Sequence, residues 1–220
     1  MWTRRRFVTH LTLAAGVLSA GAGKTQQARP DLYVCEDCEG ISDGIGDPAT
    51  LSDTTRIAPE NEPGEPLVLR GRVFAPDGVT PVPDVIVYAH HTNIEGVYAD
   101  GAGETTWGRR HGRLRAWVKT GADGAYEFNT IKPGQYPNRS QPVHIHQHVL
   151  EPGRRPYWLD SVVFEGDDGV DEAYAANAEN RGGSGIVRLG RLPTGEWLAE
   201  RDIILESHPD LAPILSRRPA

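Results

Sequence analysis

Short alternating runs separated by Gly- and Pro-bearing turns constrain this 220-residue chain more than any other feature. Seventeen prolines and 25 glycines punctuate it, and stretches of helical period are few, so an all-β fold is expected. L-V-L-R-G-R-V-F (67–74) alternates and stops at the turn A-P-D-G. P-V-P-D-V-I-V-Y-A-H (81–90) follows, with Val85, Val87 and Ala89 on one face and Ile86, Tyr88 and His90 on the other. L-R-A-W-V-K (114–119), A-Y-E-F-N-T-I (125–131), V-H-I-H-Q-H-V-L (143–150) and W-L-D-S-V-V-F (158–164) read as further strands. Gly185 to Leu189 and W-L-A-E-R-D-I-I-L (197–205) close the sheet, and Asp171 to Asn180 is the one clear helix. Strands this short at this spacing make a two-sheet β-sandwich, expected over residues 67–207.

The flanking segments differ in character. T-R-R-R-F followed by a short, mildly apolar run and small residues reads as a signal peptide over 1–22, with Arg4-Arg5-Arg6-Phe7 suggesting the twin-arginine type. Cleavage there removes three arginines and no acid, deepening a formal net charge of −7. An exported protein, periplasmic or extracellular, is therefore expected. The acidic balance argues against nucleic acid and anionic membrane as partners, and no other stretch is long and apolar enough to span a bilayer. Residues 23–66 read as an irregular arm and 208–220 as a surface tail. Cys35 and Cys38 are the only cysteines. A zinc site would need two more ligands that no local pair supplies, so a small disulfide loop is expected. The sequence allows a homodimer but specifies none.

The chemistry concentrates between Pro133 and His148. On a strand, His144 and His146 point to one face, where two imidazoles can share a transition metal. His148 continues the phase. The same H-x-H equally describes an ordinary strand with polar residues facing solvent. Tyr136 precedes it in a Pro- and Gly-rich turn, Tyr98 stands in the loop T-N-I-E-G-V-Y-A-D-G, and His90 and His91 lie just before that loop, either lining a pocket or facing solvent.

L-R-G-R-V, D-G-x-x-P-V-P-D-V-x-V, N-x-x-G-x-Y, T-x-A-D-G-x-Y-x-F-x-T-I-K-P-G-x-Y-P and P-V-H-I-H, in this order, resemble the intradiol ring-cleavage dioxygenases. The resemblance covers about residues 67 to 166, and its specific part is T-I-K-P-G-x-Y-P with H-I-H close behind. It implies an Fe(3+) cofactor, with the family's ligands falling on Tyr98, Tyr136, His144 and His146. Tyr98 and His144 would be equatorial, and Tyr136 and His146 axial. Ferric iron is hard, so anionic phenolate oxygens suit it, and neutral imidazoles complete its shell without adding charge. The implied partners are a catecholic small molecule and O2, with the ring cut between the two hydroxyl-bearing carbons.

Two positions depart from the family pattern. Gln141 stands where the family usually has an Arg before P-x-H-I-H; it donates a hydrogen bond but brings no charge to the substrate ring. Ser161 stands where Gln is common. Arg139 or Arg113 is expected to supply the charge from another direction. The competing readings are a metal-free β-sandwich binding or adhesion module, and an iron-binding homologue with lost or altered activity.

Overall fold

A computed structural model describes residues 28–35, 37–101 and 105–209. The expected leader at 1–22 and most of the tail lie outside the described residues. The elements are β1 (Thr54–Arg56), β2 (Pro66–Phe74), β3 (Ile86–His90), α1 (Thr106–His111), β4 (Arg115–Lys119), β5 (Ala125–Ile131) and β6 (His144–Leu150). They continue with β7 (Tyr157–Trp158), β8 (Val162–Phe164), α2 (Glu172–Asn177), β9 (Ile186–Val187), β10 (Leu189–Arg191), β11 (Trp197–Glu200) and β12 (Ile203–Ile204). No helix among the described residues is long and apolar enough to cross a membrane.

Two sheets form the expected sandwich. One runs β1-β5-β2-β11-β10 with β12 extending along β2; the other runs β4-β3-β6-β8-β9 with β7 on β6. Alternation fills the space between them. Leu67, Leu69 and Val73 of β2 and Tyr126 and Phe128 of β5 meet Val85, Val87, Ala89, Val118, Ile145, Val149, Val162 and Phe164. Each such side chain, fully buried, contributes roughly 1.5–3 kcal/mol.

Three expectations needed correction. The run 158–164 is not one strand. β7 and β8 pair with different ends of β6, and Leu159 N–H bonds back to Gln147 O across the break. A second helix, α1, exists; its six residues are too few to show a helical period, and Thr105 caps it by accepting from Gly108 N–H. The arm is more than packing material, because β1 joins the first sheet parallel to β5 and short 3-10 turns form at Cys38–Ile41 and Pro48–Thr50.

The outer face of the second sheet is covered as well. Ile86, Tyr88 and His90 are buried like their inward neighbours, and the arm and α1 reach this face. Trp117 Nε1–H donates to Ile41 O at 2.8 Å, and Tyr88 Oη meets His111 Nδ1 at 2.8 Å. Near its start the arm is held by buried Arg181, whose guanidinium pairs with Asp31 at 2.8 Å and Glu179 at 3.0 Å and lies 4.1 Å over the Trp158 ring. Asp31 and Glu179 are at least half exposed, which limits what the pairs themselves contribute. Arg181→Met should retain most of the packing while losing these bonds, at about 1–3 kcal/mol of stability. Urea unfolding measures that loss, and limited proteolysis should cut within 28–41 before the sandwich unfolds; an arm as resistant as in the parent would refute this anchoring.

Candidate active site

β6 carries its even-numbered side chains outward. His144, His146 and His148 therefore leave the sandwich core and face the covering layer. Cross-strand register sets His90 of β3 opposite His146 and Tyr88 opposite His148. The imidazoles stack, with ring centroids 4.6 Å apart for His90 and His146 and 4.1 Å for His90 and His111.

The two tyrosines arrive on loops that touch through their backbones. A Cβ built on Gly96 would stand 1.9 Å from Gln135 O, and one on Gly134 would stand 2.1 Å from Ile94 O. Only glycine fits at either point, so N-x-x-G-x-Y and P-G-x-Y are complementary halves of one contact. Gly134 N–H donates to Asn93 O at 2.9 Å, and Thr92 Oγ1–H donates to Gly134 O at 2.9 Å. This clamp sets Tyr98 Oη 2.8 Å from Tyr136 Oη. Tyr136 Oη is 3.3 Å from His144 Nε2, which is 3.0 Å from His146 Nε2. All four residues singled out in the sequence thus meet.

The protons show what this cluster suits. His144 Nδ1–H donates to Pro142 O at 2.7 Å; a carbonyl only accepts, so the neutral ring carries a lone pair at Nε2. Ser161 Oγ lies 3.3 Å from His146 Nδ1 and can accept its N–H in the tautomer that frees Nε2. Two nitrogen lone pairs then face each other with two phenol oxygens beside them. That is repulsive alone and favourable around a hard cation. Burial pushes the Tyr98 phenol well above its ordinary pKa, helped by its bond to Tyr136, so ionising it requires a cation nearby. Burial likewise holds His144 below, and His146 well below, the usual imidazole value, and neighbouring histidines push His146 further down.

His144 lines an adjoining cleft, and Tyr98, Tyr136 and His146 open into one of about 730 Å³, shared with His90, His111, His148, Gln141, Trp158 and Ser161. Gln141 sits exposed at its rim. Of the arginines expected to compensate for it, Arg139, paired with Asp168 at 2.7 Å, lines the adjoining cleft with Gln141, His144 and Ser161, whereas Arg113 pairs with Glu62 at 2.7 Å and lines neither. The guanidinium in the cleft wall is that of Arg110 on α1, tied to Asp37 at 2.9 Å. Sequence reasoning missed both residues, since neither the arm nor a six-residue helix carries a local motif. Of the adjacent histidines, His90 lines the cleft. His91 turns inward, its Nε2 2.6 Å from Thr130 Oγ1 and its Nδ1 2.7 Å from Thr92 O.

A family model described as Dioxygenase matches residues 45–182. The chain belongs to the intradiol ring-cleavage dioxygenase family. It is 32% identical to catechol 1,2-dioxygenase 1 of Acinetobacter lwoffii, over 75% of this chain and 61% of that one. It is 28% identical to hydroxyquinol 1,2-dioxygenase of Nocardioides simplex, over 64% of this chain and 55% of that one. The chain therefore spans little more than half the length of these intradiol relatives. Its fold matches the dioxygenase domain of a dioxygenase–carbohydrate-binding fusion from Streptomyces sp. SirexAA-E, with a TM-score of 0.54 at 24% identity, covering 69% of this chain and 86% of that one. Catechol 1,2-dioxygenase from Acinetobacter sp. ADP1 gives 0.53 at 21%, covering 79% and 68%. Intradiol dioxygenases generally use ferric iron, and the two phenols and two imidazoles here are donors that fit it.

Burial of neutral histidines fixes a pH response. Burial is the main cause holding His91 and His111 at about 4, against 6.5 for a free ring. Between those values the unfolded chain binds protons that the native chain refuses. Stability is therefore full above pH 6.5 and is lost as pH falls towards 4. In metal-free protein each of the two should contribute a slope of up to about 1.4 kcal/mol per pH unit in that window. Urea midpoints across the window measure it; a flat profile would contradict neutral burial.

Proposed function

We propose that this chain is a non-haem Fe(III) dioxygenase that cleaves catecholic aromatics between the two hydroxyl-bearing carbons. Tyr98, Tyr136, His144 and His146 would hold the ferric ion. The carrying observation is the convergence of these four donor atoms, each within 3.3 Å of the next, with Tyr98, Tyr136 and His146 lining one cleft. The relatives named as catechol and hydroxyquinol 1,2-dioxygenases support the reaction class. Catechol and O2 combine so that both oxygen atoms enter a cis,cis-muconate-type dicarboxylate.

The ferric ion, when bound, supplies Lewis acidity and a template for both catechol oxygens. The chain's own residues do the rest. Tyr136, on a turn, would accept one substrate phenol proton at Oη. Tyr98 is clamped through Gly112 and the Gly96 contact and keeps its place. Pro142 O and Ser161 hold the two imidazoles in their tautomers. The arm and α1 form one wall of the cleft through Val34, Asp37, Arg110 and His111. Gln141 donates a neutral hydrogen bond at the rim, weaker than the charged bond of an arginine. The expected twin-arginine pattern at Arg4-Arg5-Arg6-Phe7 and a Cys35–Cys38 disulfide support a site of action outside the cytoplasm.

The iron-loaded protein should carry one ferric ion per chain and absorb visible light through tyrosinate-to-iron charge transfer. Tyr136→Phe should keep much of the iron and lose turnover by roughly 10²–10⁴-fold. Tyr98→Phe should change the colour of both the resting and the substrate-bound protein. Iron content, absorption spectra and oxygen uptake on a catechol panel distinguish these outcomes. Zinc or no metal in an iron-supplied, folded preparation would sink the assignment. Separately, Gln141→Arg should raise turnover on simple catechols by a charged bond's worth, on the order of 1.5–3 kcal/mol at most. A fall in turnover would mean that the rim serves a substrate with which the added charge conflicts.

A further inference from the structure

The third histidine of β6 has no part in the four-donor cluster. His148 is 4% exposed, and its Nδ1 has no hydrogen-bond partner among the described residues. A buried imidazole ordinarily satisfies its polar atoms, so this one calls for a ligand. Beside it lie Cys35 and Cys38 of the arm, joined as a disulfide. One His148 ring nitrogen and both sulfurs fall within 4.8 Å of one another. The C-x-x-C lacks a third ligand in the nearby sequence; the fold supplies it from the far side of the chain.

We infer that, once reduced, Cys35 and Cys38 form with His148 a three-ligand site for one borderline-soft divalent ion of the zinc class. The iron reading is not needed for this. A dithiol reductant attacks the disulfide through a mixed disulfide and leaves as its own cyclic disulfide. Two electrons and two protons thereby pass to the protein, giving two thiols. The ion then displaces both thiol protons to solvent and binds two thiolates and one neutral imidazole, with water in the fourth position. Metal bonds of about 2.3 Å to sulfur and 2.0–2.1 Å to nitrogen set tetrahedral ligand atoms roughly 3.5–3.8 Å apart, a separation this cluster meets with small shifts of the arm.

Ligand hardness keeps the two centres distinct. Thiolates select zinc-class ions, and the phenol oxygens of Tyr98 and Tyr136 select a hard cation. The centres are nonetheless neighbours, because Val34 and Asp37 beside the cysteines line the same cleft as His146 and His148. Arm redox state and soft-metal supply would therefore act on the cleft wall.

The test uses iron-loaded protein, either untreated or reduced with a dithiol and freed of it anaerobically, then titrated with Co(II) and afterwards with Zn(II). Reduced protein should take one Co(II), show thiolate-to-cobalt charge transfer with tetrahedral d–d bands, and release it to one equivalent of Zn(II). Untreated protein should show neither, and the tyrosinate-to-iron colour should persist in both. Cys35→Ser and Cys38→Ser should each abolish the thiolate bands and weaken Zn(II) binding by more than about 100-fold, beyond what losing an outer partner costs. Their substitutions lie on the arm, so they remain informative even if His148→Gln fails to fold. Reduced thiols that alkylate yet give no cobalt–thiolate band would overturn the inference. So would unchanged Zn(II) affinity in either serine variant, or in a folded His148→Gln protein.

Discussion

The alternation of β6 between two environments is the constraint on which the rest depends. Ile145 and Val149 point into the sandwich core, and His144, His146 and His148 point out of it. A slip of one residue would drive three imidazoles into an apolar core and expose the aliphatic side chains. Burial of Ile145 and Val149, worth roughly 1.5–3 kcal/mol each, therefore holds the register of the site as well as the sheet. Core stability and site geometry are the same property of one strand.

An outward face lined with histidines cannot simply face water and still act as a low-dielectric site. The arm, α1 and the two tyrosine loops cover it, and that covering leaves the imidazoles neutral and the Tyr98 phenol hard to ionise. The same burial leaves nitrogens of His90, His111 and His148 without hydrogen-bond partners. Unsatisfied buried groups are costly, and three of them collect on this face, where a cation or substrate can relieve some of them.

The donors divide by rigidity. The histidines stand on a central strand paired on both sides, by β3 and β8. The tyrosines stand on loops whose mutual position depends on backbone contact at Gly96 and Gly134. A paired strand holds half of the constellation more firmly than loops hold the other half, as the proposed change of partner at one phenol would need. Arg110 and Asp37 add a charged pair to the cleft wall from two elements that belong to neither sheet.

The amino-acid sequence alone determined what is local: most of the strands, because a two-residue period is written into each run; the tyrosine and histidine set, through the family resemblance that its turn and strand motifs carry; and the Cys35–Cys38 link, from an isolated C-x-x-C in a chain expected to be exported. The split of the run after Trp158 was not legible, since apolar residues continue through it and only the pairing of β7 and β8 with different parts of β6 divides it. Helix α1 was too short to show a period. The burial of the outer histidine face, the placing of Arg110 in the cleft wall, and the meeting of His148 with the cysteines were decided by tertiary structure alone. The physical reason is that periodicity reports which side of its own backbone a residue occupies, whereas what covers that side is set by segments distant in the chain, through backbone contacts that no local pattern encodes.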